Sequence, residues 1–174
     1  MKTGLVLEGG AMRGLFTAGV IDVLMENKIN FDVAIGVSAG AAFGVNLKSK
    51  QIGRVLRYNL RFAGKPYYAS WKSWRRSGNL YAANFCYHIL PDKLDIFDKE
   101  TFMANPMRFW CVATDAATGE PVYHELHDAG YVDLEWIRAS SSIPFFAHPV
   151  AIGGHYYFDG GVSDSIPYLS LIHI

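Results

Sequence analysis

Three short segments hold residues whose types and spacing suit nucleophilic chemistry. The first is Gly36-Val37-Ser38-Ala39-Gly40. A turn this tight between a strand and a helix forces the serine into a strained backbone conformation and drives its hydroxyl outward; the flanking glycines leave room for the close packing this needs. The helix that follows points free N–H groups at the same spot and favours developing negative charge. A Gly-Ser turn with no chemistry fits the same letters. The second segment is Gly9-Gly10-Ala11-Met12-Arg13-Gly14. Small residues ahead of a helix expose backbone N–H donors, which suit an oxyanion or a phosphate. Ala11 breaks the strict Gly-x-Gly of a dinucleotide loop, and no Lys-Ser/Thr pair follows as in a phosphate-binding P-loop. A plain tight turn is the alternative. Arg13 either orients the loop, attracts an anionic head group or stays solvated at the helix start. The third segment is Asp159-Gly160-Gly161. An aspartate at a strand end with two glycines behind it can approach another loop closely, and a carboxylate within reach of a serine hydroxyl can take its proton directly. An ordinary Asp-Gly turn is the competing reading.

A histidine base is the main rival arrangement. An α/β-hydrolase triad runs serine, acid, histidine along the chain. Only His173 follows Asp159, whereas Asp115 with His148 or His155 keeps that order. Each of these histidines also fits a packed or surface role. A third reading is a non-catalytic module that binds phosphate or lipid through the Gly9 to Gly14 loop. The cysteines, Cys86 and Cys111, lack metal or redox spacing and read as buried apolar-like side chains in a reducing compartment. No metal and no cofactor are expected.

The elements that must position these groups follow an α/β order. Thr3 to Leu7 reads as a short buried strand running into the first glycine loop. A helix follows from Met12 or Arg13 to Asn27, with Phe16, Val20 and Leu24 at helical spacing. Phe31 to Gly36 is a second strand, nearly all apolar as parallel buried strands are. It ends at the Ser38 turn, and a helix over about Ala39 to Leu47 follows. A third amphipathic stretch covers about Gln51 to Phe62. Both glycine-rich turns follow strands, so both should lie at the carboxyl edge of a parallel sheet, where ligands bind. Further on, Met107 to Thr114 reads as a strand, Gly119-Glu120-Pro121 as a turn into Val122 to His124, and Tyr156 to Phe158 as a last strand. Asp133 is placed as the cap of a helix over Leu134 to Ser141, which must end before Pro144.

Composition bounds the rest. With 174 residues, 51% hydrophobic and 18% charged, the chain suits one domain with a real core. Lys plus Arg equals Asp plus Glu at 16 each, so charge gives no case for a nucleic-acid partner. The apolar run at Leu5-Val6-Leu7 stops at Glu8, too short for a signal peptide, and no stretch approaches the roughly 20 apolar residues of a spanning helix. A soluble cytoplasmic protein with peripheral membrane contact is expected. The basic and aromatic segment with Trp71, Trp74, Arg75 and Arg76 is the candidate lipid-facing lid, packing beneath a loop being its alternative.

Taken together, the three motifs resemble the patatin-like phospholipase family, from "GLVLEGGAMRG" through "IGVSAG" to "RASSSIPFFAHPVAIGGHYYFDGGVSDSIPY". The order and rough spacing of all three loops match across nearly the whole chain. The resemblance implies a three-layer α/β/α sandwich with a mainly parallel central sheet, and hydrolysis of lipid acyl esters without a metal. It implies Ser38 as nucleophile, Asp159 as general base, and the amides of Gly9, Gly10, Ala11 and Met12 as oxyanion hole. Arg13, Gly14, Gly36, Gly40, Gly160 and Gly161 would complete the motifs. Two departures stand out. Family members usually carry glycine at the position of Ala11, and an alanine there serves only with ordinary backbone angles. Family chains also usually continue well past Asp-Gly-Gly, so residues 1–174 read as a single catalytic domain incomplete at its C-terminus.

Overall fold

The computed structural model describes residues 2–174. Six strands form one sheet: β1 (Gly4–Leu7), β2 (Val33–Val37), β3 (Arg108–Asp115), β4 (Pro121–Leu126), β5 (Val150–Ile152) and β6 (His155–Asp159). β1 pairs in parallel with β2, and β2 in parallel with β3. β4 and β6 run antiparallel to β3, and β5 runs antiparallel to β6. Four strands therefore share one direction, a mainly parallel sheet.

The strands alternate faces, as a period of two requires. Leu7, Ala34, Phe109, Cys111 and Leu126 point to one face, while Ile35, Val37 and Val112 point to the other. The first face carries α1 (Gly14–Glu26), α2 (Ala39–Lys48) and α6 (Tyr131–Ser140). Outside these, α3 (Arg54–Phe62) packs on α1 and α2 through Val55, Tyr58 and Phe62. The second face is covered by Leu171 and Ile174, at α7 (Tyr168–His173). Helices thus flank the sheet on both sides, in the expected three layers but with very unequal cover.

Two expectations are corrected. The buried stripe of α1 is Gly14, Ala18, Ile21 and Met25, whereas Phe16 and Val20 face outward. That helix is apolar nearly all round, so periodicity does not select a face. Contact with α2 does: a Cβ on Gly14 would sit 2.9 Å from the Ala39 Cβ, so only a small residue fits there. Asp133 lies inside the first turn of α6 and does not precede it. Its Oδ2 accepts the amides of His127, Asp128 and Ala129 at 2.7–3.0 Å, holding the loop that leads in.

The middle of the chain supplies a short α4 (Trp71–Ser77), a π-helical segment (Phe85–Leu94) and α5 (Lys99–Ala104). The π segment accommodates Pro91 within it, where a regular α-helix would lose a hydrogen bond and clash.

Candidate active site

Ser38 sits between β2 and α2 with φ 54° and ψ −121°. A non-glycine residue in this region stores strain on the order of 1–3 kcal/mol, which the surrounding packing must hold in place. The neighbouring glycines show how. A Cβ on Gly40 would run into the Leu7 carbonyl oxygen, and one on Gly36 would lie 2.5 Å from the Gly40 oxygen. A Cβ on Gly9 would lie 2.8 Å from that of Ser38, so the first glycine loop presses directly on the serine.

Asp159 reaches the same point from the opposite direction. On β3, residues 109–112 pair with β2 on one edge and β4 on the other, while residues 113 and 114 pair with β4 and β6. β6 therefore occupies the β2 edge, above the place where β2 stops. Val37 is opposite Val112, and Asp159 is opposite Ala113. The two strands meet head to head, and their C-terminal ends bring Ser38 and Asp159 face to face. Gly160 passes so close to Val112 that a Cβ would strike its carbonyl oxygen. A Cβ on Gly161 would lie 3.9 Å from a Val37 methyl.

The end of α6 clamps both strand ends. The Ser38 amide donates to Ser140 Oγ at 2.9 Å, and the Asp159 amide donates to the Ser142 carbonyl at 2.9 Å. Thr114 Oγ1 donates to the Asp159 carbonyl at 2.8 Å. Asp159 Oδ1 accepts the Gly161 amide at 2.8 Å, while Oδ2 is buried with no hydrogen-bond partner among the described residues. Burial raises the Asp159 carboxyl above its ordinary value; the adjacent Ser38 hydroxyl and the Gly161 amide oppose that without cancelling it.

The Gly9 to Gly14 loop faces this pair. The Arg13 amide bonds the Gly10 carbonyl at 3.0 Å, closing a 3₁₀ turn over Ala11–Arg13. The Gly10 and Ala11 amides find no backbone acceptor among the described residues. Ala11 has φ 48°, a left-handed position that alanine disfavours, so the ordinary angles expected of an alanine there are not found; the strain falls on the residue, while its amide stays free to donate. Met12 and Arg13 are exposed, and Arg13 has no ion pair among the described residues.

A cavity of about 120 Å³ opens beside Ser38, Ala11 and Met12, and Phe43, Tyr58, Tyr87, Leu90 and Ile137 are among its walls. A second cavity of about 280 Å³ adjoins it, the two sharing Ala11, Tyr81, Tyr87, Ser141 and Ile143. Cys86 lines the first cavity, but burial pushes its thiol up to about 12, which leaves no thiolate at neutral pH. No histidine among the described residues lines the cavity beside Ser38, although His148 lines the second one. His155 Nδ1 lies 3.7 Å from Asp115 Oδ2, yet its side chain is 66% exposed. It stands four residues before Asp159, about 13 Å along the strand. His148 packs its ring against Gly78. The sequence reading missed Ser140, Ser142 and Thr114. Only the run Ser140-Ser141-Ser142 ahead of Pro144 hinted at them, and its role depends on where α6 ends.

Comparison with known proteins places these features in a wider set. The family described as patatin-like phospholipase matches residues 5–172. Uncharacterized protein YjjU of Escherichia coli (strain K12) is 32% identical over 170 residues, 95% of this chain and 47% of that protein. Lysophospholipase NTE1 of Debaryomyces hansenii is 29% identical over 178 residues, covering 98% of this chain and 11% of the relative. Lysophospholipase nte1 of Aspergillus fumigatus is 30% identical over 171 residues, covering 94% and 10%. This chain thus spans about half of YjjU and about a tenth of the lysophospholipases. Among solved structures, VipD from Legionella pneumophila shares the fold with TM-score 0.53 at 15% identity, over 95% of this chain and 47% of VipD.

Proposed function

Since this chain belongs to the patatin-like phospholipase family, we propose that it hydrolyses lipid acyl esters with Ser38 as nucleophile and Asp159 as general base. The observation that carries this reading is the head-to-head meeting of β2 and β6, which sets a strained serine against a buried carboxylate that has one oxygen unpartnered. Burial keeps the carboxylate more basic than an exposed aspartate, which suits proton abstraction near neutral pH. The lysophospholipase relatives support a lipid ester as substrate.

The reaction has two steps. Asp159 takes the Ser38 proton as Oγ attacks the ester carbonyl, and the Gly10 and Ala11 amides hold the oxyanion, each donor contributing about 3 kcal/mol. Collapse expels the alcohol, which leaves with the proton from Asp159. Asp159 then deprotonates a water that attacks the acyl-serine, releasing the fatty acid and restoring Ser38. The largely apolar first cavity suits the acyl chain. A histidine-dependent triad is disfavoured by the distance of His155 along β6 from Asp159.

The test is fluorophosphonate labelling of the chain, with Ser38→Ala as control and mass spectrometry to locate the adduct. An adduct on Ser38 that disappears in the variant is the expected result. A folded chain that takes no adduct, yet binds phosphate ligands through its Gly9 to Gly14 loop, would replace the hydrolase with a binding module.

A further inference from the structure

Between residues 33 and 91 the chain carries nine Lys and Arg side chains and no Asp or Glu, although it is neutral as a whole. Several of these cations are engaged. Arg54 and Arg57 bind Asp95, Lys48 donates to the Met107 carbonyl, and Arg61 to the Leu94 carbonyl. Lys65, Lys72, Arg75 and Arg76 are exposed and form no ion pair among the described residues.

These four cations sit on a strap, residues 65–83, whose Tyr68 and Tyr81 line the first cavity and whose Asn79, Leu80 and Ala83 line the second. Ser70 and Ala82 amides close it on itself through the Leu80 and Tyr68 carbonyls at 3.1 and 2.9 Å. It docks on the segment 143–149 through three hydrogen bonds: Leu80 amide to the Phe146 carbonyl at 2.8 Å, Trp74 Nε1 to the Phe145 carbonyl at 3.0 Å, and His148 amide to Asn79 Oδ1 at 3.0 Å. On α4, Trp71, Trp74 and Arg75 share one stripe by their spacing, with Lys72 and Arg76 beside it. Trp71 is 65% exposed and rests on Trp74 and Phe146, at 5.8 and 6.4 Å between ring centroids. Phe145 is 91% exposed at φ 70°, a phenyl ring held in solvent by a backbone conformation that disfavours it. Ile143, two residues earlier, lines both cavities.

From this arrangement we infer that the strap and the segment 143–149 form a docking surface for an anionic lipid bilayer. Phe145 and Trp71 enter the interface, and Lys72, Arg75 and Arg76 meet the head groups. Tryptophan and phenylalanine suit the boundary between head group and acyl region, and each basic side chain near an anionic surface adds attraction. The same two segments supply Tyr81 and Ile143 to the walls of the cavity beside Ser38, so a lipid held at this surface would lie next to that cavity. What the surface delivers rests on the hydrolase reading; the surface itself does not.

The experiment is flotation of the full chain with vesicles of phosphatidylcholine alone or mixed with phosphatidylglycerol, using the Ser38→Ala background so that turnover plays no part. Binding to the mixed vesicles is expected, weakening as salt rises. Arg75→Glu/Arg76→Glu should reduce it by about tenfold or more. Phe145→Gly, which the backbone accepts more readily than phenylalanine, should weaken it without unfolding. In the Ser38 background, both sets of changes should leave hydrolysis of a soluble short-chain ester unchanged. No binding to mixed vesicles, equal binding to neutral ones, or variants that bind like the parent would each overturn the surface. Self-association without vesicles that Phe145→Gly abolishes would overturn it too, in favour of a second copy. Vesicle binding by a chain that hydrolyses nothing would instead remove the dyad and keep the surface.

Discussion

The corner around Ser38 and the strap around Trp71 solve opposite problems. In the corner, backbone meets backbone: Gly36, Gly40 and Gly160 each occupy space where a single methyl group would overlap a main-chain atom. Ser38 and Asp159 are both nearly buried, and each is fastened through its amide to the end of α6. In the strap, large aromatic and basic side chains face outward; its own glycine, Gly78, is crowded only by the His148 side chain, and a methyl group added at Gly64, just before it, would meet nothing within 4 Å. The contrast teaches where this fold stores precision. In the proposed reaction, Ser38 and Asp159 would have to be held to fractions of an ångström, which interlocked main chain provides. The docking surface proposed for the strap, meeting a fluid partner, would need only composition and approximate placement.

Breaking the corner should have the largest effects. Asp159→Asn is expected to cut ester turnover by about 1000-fold or more while the fold persists. The same substitution tests the raised carboxyl. Because the folded state holds its proton to higher pH than the unfolded chain does, burial costs nothing below the ordinary carboxylate value and lowers stability as pH climbs through the raised one. Urea unfolding across that window should therefore show wild type losing stability relative to Asp159→Asn as pH rises, and the acid limb of wild-type activity should lie above an ordinary carboxylate's. A difference that is flat with pH would mean the carboxyl is not raised.

Matched glycine substitutions sharpen the comparison at lower cost. Gly40→Ala drives a methyl into the Leu7 carbonyl and should cost about 3 kcal/mol or more. Gly64→Ala has free space and only its φ of 77° against it, so its net cost should stay below about 1 kcal/mol. Similar melting temperatures for the two would erase the distinction between the corner and the open approach to the strap. The smallest effect is a gain: Ala11→Gly relaxes a left-handed alanine and should raise stability by up to about 1 kcal/mol, with esterase activity retained, as thermal unfolding would show.

Much of the corner is legible in the sequence. The glycines around Ser38, the small residues ahead of α1 and the Asp159-Gly160-Gly161 turn are local signals. Each states that the backbone must bend or approach closely at that position, and the α/β order puts the first two on one sheet edge. The face of α1 is not legible, because a helix apolar on all sides carries no directional signal. Nor is the π-helical wall of the cavity, which Pro91 and weak periodicity disguise.

By itself, the sequence marked the candidate residues, their order and the turns that present them, because those properties depend on side-chain chemistry and a few backbone angles. Only the tertiary structure decided that β6 returns antiparallel along the β2 edge of β3, that the end of α6 clamps both strands, and that the strap leans on the segment bearing Phe145. Those facts rest on pairings between residues tens to more than a hundred positions apart, which no local pattern encodes. Their register is chosen by the packing of the whole sheet.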